Sequence, residues 1–216
     1  MYSEYELFVL LRIAGMDDLF GLERLEDPNR YRIEEGNIGK RLEKLGLVQG
    51  NQLTDKGAFI VGLLEYYNRA EDHLFINNLK LAMIGQTAIG LRKLYDQEKK
   101  KFFYRISPLA RSSLFSLLTR MIPLDGPDHS PGDLEPAGKM DFWERVHKCY
   151  PSFLLFKVFH RKTIEDYFAL AWNDREAIAY DFFTGTGRRP GPDQIKEKLR
   201  VIIGNQEEMH ADHNRE

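Results

Sequence analysis

The apolar pattern changes period near His73, and that change limits what the chain can fold into. Upstream, apolar residues recur at helical spacing. Ser3 is a good N-cap for a helix through Tyr5, Phe8, Val9 and Leu11 that ends at Gly15. Ile38, Leu42 and Leu45 share one face of a second helix, stopped by Gly46. Leu47-Val48 and Leu53 flank a tight turn between two very short strands. Thr54 or Asp55 then caps a longer helix carrying Phe59, Leu63, Tyr66 and Tyr67. Downstream of His73, Phe75, Leu79, Leu81 and Met83 alternate with polar or smaller residues, as in a half-buried strand, although Asn77 breaks the face. Strands are also expected over Thr87–Tyr95 and Lys99–Ile106. A helix opened by Ser107-Pro108 follows, with Leu114, Phe115, Leu118 and Ile122 as its buried stripe.

The same pattern returns after residue 139. A short amphipathic helix carries Phe142, Trp143, Val146 and Cys149, with Cys149 on its buried side. Strands are expected from Ser152, over Tyr167–Trp172 and over Ala177–Phe183. A Gly/Pro loop from Gly185 to Pro192 leads into a last helix with Ile195, Leu199, Ile202 and Ile203 on one side. Residues 123–138, with four prolines, four acids and no base, are expected to be a mobile acidic loop without a ladder or helix. The fold class is therefore α+β. A central antiparallel sheet is built from two pseudo-repeated βββα units in quasi-twofold relation, with flanking helices and a winged-helix-like N-terminal segment. The expected organisation is one domain over 1–216, with halves 1–122 and 139–216 joined by the loop 123–138.

Charge is segregated along this frame. Residues 1–72 net −5, residues 73–122 net +7 and residues 123–216 net −4, so a cationic surface can come only from the middle segment. The overall charge of −2 argues against a general electrostatic grip on nucleic acid or anionic lipid. The single Cys149 allows no internal disulfide. The acidic start lacks the basic region of a signal peptide, and no apolar run of about 18 residues could cross a bilayer. A cytoplasmic protein without membrane insertion is expected.

Catalytic chemistry finds no constellation. None of the six histidines has a matched Cys, His or carboxylate set, and His210-Ala211-Asp212-His213 falls in a polar tail. There is no nucleophile elbow, and Gly185-Thr186-Gly187-Arg188-Arg189 lacks the Gly-Lys-Ser/Thr end of a phosphate loop. No enzyme activity, cofactor or metal is expected. Two binding surfaces remain. Lys40-Arg41-Leu42-Glu43-Lys44 with the turn Gln49-Gly50-Asn51-Gln52 resembles the recognition helix and wing of a DNA-binding regulator. The surrounding segment is acidic, however, and the wing has no base. The stretch Lys99-Lys100-Lys101-Phe102-Phe103-Tyr104-Arg105 interleaves cations and aromatics. It suits single-stranded nucleic acid, an edge strand guarded by lysines, or docking of an acidic protein partner. Strand alternation selects Arg92, Tyr95, Phe103 and Arg105 as partner-binding residues, with Phe103 on the cationic face.

The succession of these segments is similar to a known family. Leu45-Gly46-Leu47-Val48 through Leu53, the meander from His73 to Ile106, and Asp174-Arg175 through Tyr180 followed by Pro192 resemble EspG/EsaE-like chaperones of type VII (ESX) secretion. The resemblance implies a cytosolic, non-enzymatic chaperone or adaptor, monomeric or weakly dimeric. It would bind a helical-hairpin export substrate and keep it soluble until the secretion ATPase takes it. No binding residue carries over by position, because the turn at Asp96-Gln97-Glu98 is short where some members have a long substrate-facing loop. The alternative function is a winged-helix-like DNA-binding regulator.

Overall fold

The computed structural model describes residues 1–22, 37–50, 52–122, 132–133 and 138–204. Strands and helices divide into two compact units. The first comprises Met1–Ala70, Asn78–Ala82 and Ile89–Pro108, and the second Glu71–Asn77, Met83–Ala88 and Leu109–Glu216.

In the first unit, β1 (Tyr2–Ser3) leads into α1 (Glu4–Ile13), and α2 covers residues 37–44. Ser3 and Glu6 form a reciprocal capping box: the Ser3 amide donates to Glu6 Oε2 at 2.6 Å and the Glu6 amide to Ser3 Oγ at 3.3 Å. Both helices end on a left-handed glycine, Gly15 (φ +70°) and Gly46 (φ +67°). In each case the next amide reaches back five residues, Met16 to Leu11 and Leu47 to Leu42, so the last turn is closed as in a Schellman motif. The short strands β2 (Val48–Gln49) and β3 (Gln52–Leu53) pair as expected. Thr54 caps α3 (Asp55–Arg69) by accepting from the Gly57 amide at 3.1 Å.

The buried face of α3 differs from the aromatic spacing in the sequence. Ile60, Val61, Leu64 and Tyr67 are buried, while Phe59 and Tyr66 are 59% and 64% exposed. Apolar residues occupy both sides of this helix, so periodicity alone does not choose the core side.

The meander has four strands where three are expected: β4 (Asp72–Ile76), β5 (Leu79–Ile84), β6 (Thr87–Asp96) and β7 (Lys101–Ala110). Asn77 stands at φ +50° and turns the chain between β4 and β5. In the second unit its side chain extends the β4 ladder, accepting from the Leu155 amide at 2.8 Å and donating to the Phe153 carbonyl at 3.2 Å. β7 runs through Ser107-Pro108, so α4 (Arg111–Met121) starts later than expected and has no side-chain cap. Leu114, Leu118 and Ile122 are buried, as expected of its stripe.

Four further strands belong to the second unit. After α5 (Lys139–Cys149) come β9 (Ser152–His160), β10 (Thr163–Trp172), β11 (Ala177–Asp181), β12 (Thr186–Arg189) and α6 (Pro192–Ile203). β10 starts four residues early because Arg161 and Lys162 both take positive φ in a two-residue hairpin turn. The expected Gly/Pro loop contains β12, paired to β11. Within the segment expected to have no ladder, β8 (Gly132–Asp133) pairs with Arg188 and Arg189 of β12; residues 123–131 and 134–137 lie outside the described residues. The polar tail 205–216, including His210 and His213, lies outside them too. Cys149 is exposed, not buried, because α5 turns Phe142 and Val146 inward onto Ala169, Ala171, Ile178 and Tyr180.

The fold is α+β, with strands ordered β1-β7-β6-β5-β4-β9-β10-β11-β12-β8 in an antiparallel sheet. A tight contact in the first unit gives a direct test. A Cβ on Gly57 would overlap the Leu47 carbonyl, which is backbone and cannot turn aside. Gly57→Ala should therefore lower stability by about 2–3 kcal/mol, read as a lower urea midpoint at unchanged slope.

Candidate functional site

The basic turn between β6 and β7 is organised by Asp96. Its Oδ1 accepts from the amides of Glu98 (3.1 Å) and Lys99 (3.0 Å), and its Oδ2 lies 3.2 Å from Lys99 Nζ. The Lys99 amide bond, reinforced by its side chain, holds the Asp96 carboxyl below the usual range. The four predicted partner-binding residues do not share a face. Tyr95 is 54% exposed and packs on Phe102, itself 51% exposed, with ring centroids 5.0 Å apart. Lys93 Nζ stands 4.5 Å from the Phe102 ring centre, completing a solvent-facing group of two aromatics and a cation. Strand alternation places Arg92, Phe103 and Arg105 on the opposite face.

Arg92 and Arg105 are exposed, but Phe103 is only 6% exposed. The expected cationic neighbour is there, since Lys99 Nζ lies 5.1 Å over the Phe103 ring. The expected accessibility is not, because β1 pairs along β7 with Ser3 opposite Phe103 and Tyr2 opposite Tyr104. Phe103 therefore lines a cleft rather than projecting into solvent. Phe102 is the exposed ring, although its spacing from Tyr104 and Ile106 assigns it to the apolar side.

That cleft, about 630 Å³, is lined by Met1, Arg41, Lys44, Leu45, Asp96, Lys99 and Phe103. It draws bases from α2 and from the β6–β7 turn, two segments far apart in sequence. Arg41 Nε lies 2.8 Å from Oε1 of the fully buried Glu6, close enough for an ion pair though not aligned as a hydrogen bond. Lys44 sits one turn along α2 from Arg41 and is exposed. Lys40, Arg41 and Lys44 stand on the recognition-helix-like segment; what the sequence cannot show is that two of them line one cleft with Lys99, Leu45 and Phe103.

The second unit contains a separate cleft of about 390 Å³, whose lining includes Asp72, Arg111, Glu165, Asp166, Phe159 and Val201. Arg111 Nη1 donates to the Ile203 carbonyl at 3.1 Å, closing the end of α6, and Asp166 pairs with Lys198. These ties engage Arg111 and Asp166 in structural contacts. Among the described residues no group of three His, Cys, Asp or Glu side chains could hold a metal ion.

The chain belongs to the family described as a domain of unknown function (DUF5081), which matches residues 1–125 and so includes β6, β7 and the cleft beside them. No curated protein matches the chain. No helix among the described residues is long and apolar enough to cross a membrane.

One titratable pair allows a pH test at the edge of the second cleft. His160 Nδ1 is 2.7 Å from Asp72 Oδ1, and that hydrogen bond raises the imidazole above its ordinary value of 6.5. The protonated form is thus favoured in the folded chain. The pair contributes to stability below the unfolded value, and the contribution fades as pH rises through the raised folded value. An NMR titration should place His160 above 6.5, and Asp72→Asn should return it toward that value.

Proposed function

We propose that this protein is a chaperone or adaptor of the EspG/EsaE-like class, binding a helical-hairpin substrate of type VII secretion and keeping it soluble for export. The observation that carries the reading is the exposed Tyr95–Phe102 pair with Lys93 beside it. Large aromatics held in the open cost hydration in a free monomer and are favoured where a partner covers them. Cations around them orient a partner of opposite charge, and the meander is the one segment with a strong positive net charge.

The strand order supports the quasi-twofold part of the reading. β7-β6-β5-β4 is followed by β9-β10-β11-β12, two four-stranded meanders in mirrored order, each leading in sequence to an amphipathic helix. On this reading each half is a ββββα unit rather than the expected βββα. On this reading the protein acts in the cytoplasm as a monomer or weak homodimer, without chemistry of its own, and passes its substrate to the secretion ATPase.

The regulator alternative draws on α2, the β2–β3 hairpin and α3, which follow one another as in a winged helix. Against it, the segment that carries α2 nets −5, and the wing turn has no base. The two readings separate on one preparation. Tagged protein is used to capture partners from its native cytosol, in wild-type form and as Tyr95→Ala/Phe102→Ala. A small helical export substrate should be recovered with the wild type and reduced at least tenfold with the double variant, as expected when two aromatic anchors are removed. Equal recovery would remove this surface, and binding of duplex DNA that falls steeply with salt would favour the regulator.

A further inference from the structure

The cleft between α2 and the β6–β7 turn has the composition of a receptor for a single carboxylate. Arg41 and Lys44 lie three residues apart on α2 and so share a helix face, and Lys99 reaches the cleft from the turn. Leu45 and Phe103 supply apolar lining among these bases. Asp96 is the cleft's own acid, and it is engaged by Lys99 and by two backbone amides. Arg41 contacts Glu6 through Nε, while its terminal nitrogens and the Lys44 ammonium make no hydrogen bond or ion pair among the described residues. Cation capacity therefore remains in a partly enclosed, partly apolar space, where a charge-assisted hydrogen bond is stronger than in open water.

The geometry points to this cleft as the place where an acidic amphipathic helix of the protein partner inserts one Glu or Asp carboxylate, with an apolar side chain one turn away resting on Leu45 and Phe103. The inference rests on the protein-binding reading above and names the chemistry its partner must present. A helix supplies that spacing directly, since residues four apart lie on one face. A nucleic-acid backbone fits less well. Asp96 opposes a run of phosphates, the apolar lining has no partner on a phosphodiester, and the 1–72 segment carrying Arg41 and Lys44 nets −5.

The test uses two alanine-based, end-capped helical peptides that differ at one position. One carries Glu followed four residues later by Leu; the other carries Gln in place of Glu. Fluorescence anisotropy against the full chain should show the Glu peptide binding about tenfold more tightly than the Gln peptide. Lys44→Gln should reduce that preference to about threefold or less and leave the Gln peptide's affinity unchanged. Equal affinities, absence of Glu-peptide binding, or a preference that Lys44→Gln leaves intact would each overturn the assignment. So would tight binding of a DNA duplex that Lys44→Gln abolishes. Capture of the cytosolic substrate separates the two levels. Normal capture by Lys44→Gln with loss in Tyr95→Ala/Phe102→Ala removes the cleft and keeps the protein-binding reading, whereas normal capture by both removes both.

Discussion

The carboxylate of Glu6 is the interaction on which the first unit depends. It is fully buried, accepts the Ser3 amide of the capping box and lies against Arg41 of α2. A buried carboxylate is costly without partners, so both contacts are needed where it sits. The first fixes Ser3 at the start of α1, and with it the pairing of β1 on β7 that covers Phe103. The second brings a guanidinium to the cleft. One side chain thus ties the helix start, the sheet edge and the charge of the candidate site together.

The site itself combines a rigid part and an open part. Asp96 locks the β6–β7 turn through two backbone amides and an ion pair, so the flanking strands present their side chains from a fixed platform. Tyr95, Phe102 and Lys93 stand on one face of that platform, and Arg92 and Arg105 on the other. A rigid aromatic loses little side-chain freedom when a partner covers it, which is why such residues dominate binding energetics. The second unit has a different character. Its central charges close helix ends and pair across elements, as Arg111 does to Ile203 and Lys198 to Asp166.

The helices were legible where capping chemistry was strong: Ser3, Thr54, Gly15 and Gly46 each act as their residue types predict. The strand count was not, and the reasons are local. Asn77 and the Arg161-Lys162 pair make tight turns in left-handed conformations without the usual glycine, so the pattern ran through one and began late at the other. Thr186-Gly187-Arg188-Arg189 has no apolar residue to mark it; backbone pairing to β11 and β8 makes it a strand. At Ser107-Pro108 a good local start signal was overridden by continuation of β7. The site was half legible for a related reason. Alternation correctly set Phe103 beside Lys99, but β1 has two residues and therefore no period, so the strand that buries Phe103 left no trace. Phe102 is exposed although its spacing assigns it to the apolar side, because periodicity cannot distinguish an exposed aromatic from a core one.

The central claim is that a protein partner covers the β6–β7 face. Hydrogen–deuterium exchange on the isolated complex with the captured substrate, compared with the free chain, addresses it at peptide resolution. The account predicts slowed exchange in peptides spanning residues 92–105, centred on the turn after Asp96, where Gln97, Glu98 and Lys99 are exposed. A complex that forms with those peptides unchanged, and with protection confined to the second unit, would contradict it.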